Sequence, residues 1–349
     1  MTESDSKRLL PNLKKRPHVV IIGAGASCAT LINGDKYGKK ISAMDNFIEE
    51  LKMEDIFSSV KLETTSKNLE DIYSELDERN DCDDIKNKLE VRISEYLKSI
   101  VIPDEPTIYD YLLLSLRKKD LIISFNWDDL LLQARERVSE ITKDLPQMVF
   151  LHGNVGVGYC KNDSEYGLIT NKCTKCGEKY IPSRLLFPVK VKDYNSTFQL
   201  QNQWKVAKDY INRAGFITIF GYGAPNTDVE AKDILLKAFK CFGDDKRFFE
   251  EIQIIDKPGL NESEIYDKWS SFIHISNDYY KITSSFFDSI LAKFPRRSIE
   301  GHLKCNHEGV GWWGKSKISF TDSPKTFNEI RELIQPLLDN ENNNNFEII

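Results

Sequence analysis

A glycine-rich loop follows the first aliphatic run of this sequence. Val19–Ile22 leads directly into five small residues, Gly23, Ala24, Gly25, Ala26 and Ser27. Glycine at such a junction lets a nucleotide phosphate approach backbone N–H groups, because a Cβ would block it. The loop matches neither the G-x-G-x-x-G fingerprint, whose third glycine is replaced by Cys28, nor a Walker A loop. A phosphate-binding loop and a plain turn between a strand and a helix therefore both stay open.

Polar side chains end two further aliphatic runs. Asn126 and Asp128 follow Leu121–Ser124, and His152 comes directly after Met148–Leu151. Asparagine can orient a ribose hydroxyl or a water, aspartate can accept a hydrogen bond from an amide, and neutral imidazole can act as a general base. The structural alternatives are that Asp128 caps the helix that follows it and that His152 is a satisfied core residue.

Two later aliphatic runs end in a similar way. Phe216–Phe220 is followed by Gly221 and Tyr222, and Ile252–Ile255 is followed by Asp256. A glycine between a strand and a helix can close over a phosphate or a ribose, and an acidic residue at a strand end suits a ribose diol. Asp256 equally suits an ordinary turn.

These five motifs need a scaffold that brings them together. Each aliphatic run is four or five residues long and continuously apolar, which is typical of strands buried on both faces of a parallel sheet. Amphipathic segments between the runs predict helices over residues 43–57, 68–100, 107–118, 128–141, 199–213 and 227–242. The alternation predicts an α/β fold, a Rossmann-like parallel sheet with helices on both faces.

Composition limits the class of protein. The chain has 349 residues, of which 40% are hydrophobic and 29% charged, with a net charge of -6. This balance gives no general attraction to nucleic acid or to acidic membranes, and we expect neither as a partner. We find no secretory signal and no apolar run long enough for a membrane span. Seven cysteines without such a signal indicate thiols or metal sites in a reducing cytoplasm.

The pattern along the chain predicts its domain organisation. Residues 1–16 form a polar segment, and residues 17–295 form the main domain. Within that domain we expect a helical insertion over 43–118 and a small cysteine-containing module over 153–198. Residues 296–349 are a C-terminal extension, and their low-complexity, asparagine-rich end is expected to be disordered.

Taken in order, the five motifs resemble the sirtuin-like family of NAD-binding domains over residues 17–290. The resemblance implies that the loop from Gly23 to Ser27 binds the NAD+ pyrophosphate. It implies that Asn126 orients the nicotinamide ribose or the attacking water, that Asp128 hydrogen-bonds the nicotinamide carboxamide, and that His152 is the catalytic base. It also places Gly221 and Tyr222 on the far side of the NAD+ cleft and Asp256 beside the adenosine ribose.

Many sirtuins carry a zinc ribbon of two C-x-x-C pairs after this histidine. Here Cys173 and Cys176 form one pair, but the first pair is broken, since Cys160 is followed by Asp163. Zinc accepts carboxylate ligands, so these four residues are a candidate structural zinc site. The alternatives are a knuckle without metal or a fourth ligand from the distant group His302, Cys305 and His307.

The resemblance also helps to choose among the activities known in the family. Deacylases of the family carry Phe-Gly-Glu after the zinc module and Pro-Asp-Phe-Arg after the glycine loop, and neither occurs here. The long helical insertion resembles the bacterial antiphage branch, which implies hydrolysis of NAD+ to ADP-ribose and nicotinamide in abortive infection. Such effectors work as homo-oligomers or with a sensor or ATPase partner. The alternatives are an NAD-dependent protein deacylase or ADP-ribosyltransferase and a non-catalytic NAD or ADP-ribose-binding module.

Overall fold

The computed structural model of the chain describes residues 14–41, 47–79, 81–163, 165–187, 197–224, 228–240, 251–276, 279–308, 316–323 and 325–349. Most of the predicted polar segment, residues 1–16, lies outside these ranges. Among the described residues, no helix combines the length and the apolar character that crossing a bilayer requires.

The described strands form two sheets. They are β1 His18–Ile22, β2 Leu121–Ser124, β3 Gln147–Phe150, β4 Val157–Tyr159, β5 Tyr166–Leu168, β6 Ile181–Pro182, β7 Phe216–Phe220, β8 Glu251–Ile255 and β9 Tyr280–Thr283. The main sheet has the order β3-β2-β1-β7-β8-β9, and the small sheet has the order β5-β4-β6. Every neighbouring pair in the main sheet is parallel. All five predicted strands are present, and their bounds differ from the prediction by at most one residue.

Apolar cores on both faces of the main sheet explain why its strands are continuously hydrophobic. Val20 and Ile22 of β1 pack into one core, and Val19 and Ile21 pack into the other. Successive side chains of a strand point to opposite faces, so only a sheet covered on both sides buries all four. The predicted Rossmann-like α/β fold is confirmed.

Helices cover the sheet and fill the segment between β1 and β2. They are α1 Ala24–Thr30, α2 Phe47–Glu50, α3 Leu69–Asp77, α4 Asp83–Lys98, α5 Ile108–Leu114, α6 Leu130–Val138, α7 Phe198–Arg213, α8 Val229–Lys240, α9 Glu262–Ile275, α10 Ile290–Lys293, α11 Ser298–Glu308 and α12 Phe327–Asn342.

Two predicted helices are interrupted. Of the helix predicted over 43–57, residues 43–46 lie outside the described residues, and the rest is α2 followed by a separate 3-10 turn, Ile56–Ser59, because Lys52 adopts a positive φ of 50° that a helix does not allow. The helix predicted over 68–100 is two helices, α3 and α4. The second begins with Asp83 and Asp84, whose carboxylates favour a helix N-terminus.

The asparagine-rich end of the C-terminal extension, which was expected to be disordered, lies within the described residues 325–349 and packs against the rest of the chain. Helix α12 runs to Asn342, and the backbone oxygen of Ile349 accepts hydrogen bonds from Ser316 and Lys317. Ile330 and Ile334 of α12 are fully buried in the same core as β1. The asparagines are a polar surface at the end of an amphipathic helix whose apolar face is covered.

Candidate functional site

The five motifs lie at one edge of the main sheet. Backbone hydrogen bonds continue beyond the strand ends: the Gly23 N–H donates to the Phe220 carbonyl at 3.1 Å, and the Gly221 N–H donates to the Ile255 carbonyl at 2.9 Å. These bonds join each loop to the strand beside it. The carboxyl edge of the sheet, where α/β folds bind ligands, therefore carries every residue predicted to contact NAD+.

A buried polar cluster occupies the centre of this edge. It consists of Ser27 from α1, Tyr109 from α5, and Asn126 and Asp128 from the loop after β2. The Ser27 hydroxyl donates to Asp128 Oδ2 at 2.8 Å and lies 2.8 Å from the Tyr109 hydroxyl. Hydrogen bonding at these distances compensates the burial of four polar side chains. Ser27 was predicted only as part of a phosphate loop, and its side chain instead contacts Asp128 and Tyr109.

The side-chain amide of Asn126 has a fixed orientation. Its Nδ2 donates to the Gly23 carbonyl at 2.9 Å and lies 2.9 Å from Ser27 Oγ and 3.1 Å from the Tyr109 hydroxyl. A backbone carbonyl can only accept, so the nitrogen and not the oxygen must face Gly23. The Asn126 Oδ1 then remains to accept a hydrogen bond from a ligand.

Asp128 caps the helix that follows it, which was the structural alternative, and it also belongs to the polar cluster. Its Oδ2 belongs to the polar cluster, whereas Oδ1 accepts a hydrogen bond from the Leu130 N–H at 3.3 Å in the first turn of α6. The neighbouring Asp129 makes no side-chain cap. Burial raises the pKa of Asp128 to about 6, against the hydrogen bond from Ser27 that lowers it. The carboxylate form still dominates at neutral pH.

His152 faces a carboxylate that the sequence did not single out as functional. Its Nε2 lies 3.5 Å from Oδ1 of Asp228, and the Tyr222 hydroxyl donates to Oδ2 of Asp228 at 3.0 Å. The Phe125 ring stacks on Tyr222 with ring centres 4.2 Å apart and meets His152 edge-on. Asp228 directly precedes α8, so its sequence position indicated a helix cap. Strands β2 and β1 separate β3 from β7 in the sheet, and only the fold of the loops over its carboxyl edge brings Asp228 to His152.

The glycine loop supports the turn interpretation directly. A Cβ on Gly23 would lie 2.6 Å from Cα of Tyr222, and one on Gly25 would lie 2.8 Å from Cα of Gly221. The Gly25 N–H donates to the Gly221 carbonyl at 2.9 Å, and the Ala26 N–H donates to the Gly23 carbonyl at 2.9 Å. The glycines are therefore required by close packing of two backbones, and a phosphate would reach the Gly25 amide only by displacing Gly221.

A cavity of about 370 Å³ lies beside Asp256. It is formed at the carboxyl ends of β8 and β9, with Asp256 and Glu262 as its acidic side chains and Leu260 and Ile265 among its apolar ones. This volume is within the range of small-ligand pockets. Strand β9, which contributes Thr283 to the cavity, was missed in the sequence because its residues are only partly buried.

The four predicted metal ligands come together in the small sheet region. The ligand atoms of Cys160, Asp163, Cys173 and Cys176 all lie within 4.8 Å of one another. Cys160 Sγ is 3.4 Å from Cys176 Sγ, and Cys173 Sγ is 3.3 Å from Asp163 Oδ2. Two ligands bound tetrahedrally to zinc at about 2.3 Å lie about 3.8 Å apart, so the donor set fits a zinc ion.

Such an ion would be structural, because four protein ligands leave no open coordination position. Two backbone hydrogen bonds hold the ligand loops: Cys160 N–H donates to the Glu165 carbonyl and Cys173 N–H donates to the Glu178 carbonyl. The alternative ligand His302 is engaged elsewhere, since its Nδ1 lies 2.6 Å from Glu251 in the core.

Comparison with known proteins gives distant structural similarity only. No family model and no curated protein matches the chain. A structure described as a Sir2 homolog–NAD complex has 14% identity, covers 86% of this chain and 94% of that chain, and gives a TM-score of 0.41. One described as Sir2Tm bound to a propionylated peptide has 15% identity, covers 87% and 98%, and gives 0.35. Sequence identities and TM-scores this low give no information about the activity of this chain.

Proposed function

We propose that this chain hydrolyses NAD+ to ADP-ribose and nicotinamide. The observation that carries the proposal is the fixed amide of Asn126, whose oxygen is left to accept a hydrogen bond at the same sheet edge as His152. The choice of NAD+ as the substrate rests on the pattern of motifs that resembles sirtuin-like domains. Hydrolysis needs little more than these two groups, because nicotinamide leaves without help from an acid.

The reaction is an N-glycosidic cleavage with oxocarbenium character at the ribose C1′. The C1′–N bond breaks, and its electron pair neutralises the pyridinium nitrogen of nicotinamide. A water oxygen bonds to C1′, and His152 takes a proton from that water as general base. Asn126 Oδ1 accepts a hydrogen bond from the same water or from a ribose hydroxyl. Asp128 is proposed to hold the nicotinamide carboxamide, which donates N–H groups to a carboxylate.

The two ends of the dinucleotide would meet different surroundings. The cavity beside Asp256 is open and large enough for part of a nucleoside, and we assign the adenosine ribose to it. Asn126, Asp128 and His152 are instead buried, with Tyr222 packed over Phe125. Binding of the nicotinamide end would therefore require Gly221 and Tyr222 to move away from the glycine loop.

We further propose that the chain is the toxic effector of an antiphage abortive-infection system. A closed nicotinamide end supports this role, since an unregulated NAD+ hydrolase would harm its own cell. Opening would then come from self-assembly or from a sensor or ATPase partner. Light scattering during size-exclusion chromatography tests the assembly; full activity of a monomer by itself under all conditions would contradict this proposal.

The activity is tested by incubating the purified chain with NAD+ and measuring nicotinamide by chromatography. We expect release that is lost in His152→Gln and Asn126→Ala and retained in His274→Gln, a matched exchange of an exposed histidine on α9. Turnover only with an acyl-lysine peptide would favour a deacylase, transfer to protein an ADP-ribosyltransferase, and tight binding without turnover a regulatory module. Release that needs neither His152 nor Asn126 would rule out the mechanism.

A further inference from the structure

A side chain from the helical insertion reaches the centre of the polar cluster. Tyr109 lies on α5, within the segment between β1 and β2, and is 1% exposed. Its hydroxyl lies 2.8 Å from Ser27 Oγ and 3.1 Å from Asn126 Nδ2. The sequence placed no functional residue in this segment, so Tyr109 is a contribution that only the fold reveals.

The order of protons in the cluster follows from which groups can only accept. The ionised Asp128 carboxylate can only accept a hydrogen bond, so the Ser27 hydroxyl donates its hydrogen to Asp128. The contact between Ser27 and Tyr109 must then be donated by Tyr109. Burial raises the pKa of Tyr109 well above its usual value, so the phenol keeps the proton that it donates. The Tyr109 hydroxyl therefore donates to Ser27, and the Ser27 hydroxyl donates to Asp128.

The Tyr109 hydroxyl also completes the surroundings of the Asn126 amide. The two N–H groups of Asn126 Nδ2 have three acceptors, namely the Gly23 carbonyl, Ser27 Oγ and the Tyr109 oxygen. The carbonyl takes one proton, and the two hydroxyl oxygens share the other. Without the Tyr109 hydroxyl, Ser27 loses one of its two donors and Asn126 loses one of three contacts that prevent rotation of its amide.

We infer that Tyr109 is a positioning residue for the reaction, which holds Ser27 and Asn126 so that the Asn126 oxygen meets the substrate. The inference rests on the proposed NAD+ hydrolysis. It makes the helical insertion part of the active site instead of an appendage, because α5 supplies a hydroxyl that neither the glycine loop nor the loop after β2 provides.

The test compares Tyr109→Phe with Tyr111→Phe. Both remove one phenol oxygen from α5, but the Tyr111 ring packs on Phe287 and Phe320, away from the cluster. We expect Tyr109→Phe to lower kcat for nicotinamide release about tenfold, as for one lost hydrogen bond, with KM changed less than about twofold. Tyr111→Phe is expected to keep both constants. Equal kinetics of the two variants would overturn the inference.

A second measurement separates this inference from the proposed function. The side-chain amide signals of Asn126 in a 1H–15N spectrum, assigned with Asn126→Asp, should shift in Tyr109→Phe and stay in place in Tyr111→Phe. A wild-type chain without turnover in both its monomeric and its assembled state would contradict the proposed function, and unchanged Asn126 signals would contradict the positioning role. If Tyr109→Phe does not fold, Ser27→Ala removes the hydroxyl to which both Tyr109 and Asn126 donate, and unchanged Asn126 signals in that variant would contradict the fixed amide on which the inference depends.

Discussion

The Nε2 atom of His152 lies 3.5 Å from Oδ1 of Asp228, and the other oxygen of that carboxylate accepts the hydroxyl proton of Tyr222. For His152, the proposed base, a carboxylate partner that is itself held by a third group follows the same logic as catalytic triads on unrelated folds. Asp228 and Tyr222 both come from the segment after β7, whereas His152 follows β3 at the edge of the sheet.

Asp228→Asn should lower kcat for nicotinamide release about tenfold or more, because an uncharged amide holds the imidazole less firmly. Asp228→Glu should recover part of the loss. The matched control is Asp233→Asn, which removes an exposed carboxylate from the same helix α8. Steady-state kinetics measures kcat for both variants. Equal kcat values for Asp228→Asn and Asp233→Asn would exclude a role for the Asp228 carboxylate.

Asp128→Asn should stabilise the fold at neutral pH while abolishing turnover. A folded-state pKa of about 6, against 3.8 without the fold, means that the folded chain binds this proton more tightly than the unfolded chain. Stability conferred by Asp128 therefore falls as the pH rises from about 4 to 6 and is constant above. The shift of about two units corresponds to about 3 kcal/mol in the free energy of unfolding.

Urea unfolding of wild type and Asp128→Asn at several pH values between 4 and 7.5 measures this difference. The two free energies should agree at pH 4 and diverge in favour of the variant up to about pH 6. A constant difference over the whole range would show that Asp128 titrates normally in the fold.

The purified chain should contain one zinc ion, measured by mass spectrometry of the metal. Cys173→Ser should lose it, whereas Cys82→Ser, which changes a buried thiol outside the cluster, should retain it. Asp163→Cys would complete a four-thiolate site and should keep its zinc longer against a chelator than wild type. Zinc content that is independent of Cys173 would exclude this site.

Glu341→Gln should destabilise the fold by roughly 3–5 kcal/mol, since it removes the charged partner of the buried Arg297 and leaves the buried Arg296 with Asp144 alone. Glu341 accepts from Arg296 Nε at 2.9 Å and also pairs with Arg297, and both arginines are almost fully buried. Burial disfavours the charged form of Glu341, but these hydrogen bonds and charges outweigh it and hold its pKa below the usual value.

This contribution should be present at neutral pH and be lost as the pH falls through the lowered pKa of Glu341. Asp339→Asn, an exposed change on the same helix α12, is the control and should cost little. Denaturant midpoints at pH 7 report both values. Equal midpoints for the two variants would show that α12 is not anchored by Glu341.

The fold was largely predictable from sequence because four of the five predicted strands are buried along their whole length, and all five contain continuous apolar runs. Strand β9 was not, because its side chains Tyr280 and Lys281 lie at the sheet edge and lack that pattern. The predicted helix ends were wrong where a single residue interrupts the helix. Lys52 is an example, because its residue type does not indicate the positive φ that it adopts.

The candidate site was predictable only for the residues at strand ends. Asn126, Asp128 and His152 stand directly at strand ends, where spacing alone brings them to one edge. Tyr109 lies on α5 and Asp228 directly precedes α8, positions that indicate packing and capping, and only tertiary contacts bring them to Ser27 and His152. The distances of the cysteine cluster confirm that its four predicted members meet, although the chain between them has little periodicity.

The strand order also sets when the protein can fold during synthesis. The central strand β1 pairs His18 with Phe216, about 200 residues later in the chain. At ~5–20 residues per second, a ribosome needs roughly 10–40 s to make that partner. For this time one edge of the most apolar strand has no native neighbour, which exposes nascent chains to wrong strand pairing and to chaperones. Slower synthesis lengthens this interval, whereas a change that destabilises β7 leaves the time of its synthesis unchanged but keeps β1 without its partner afterwards.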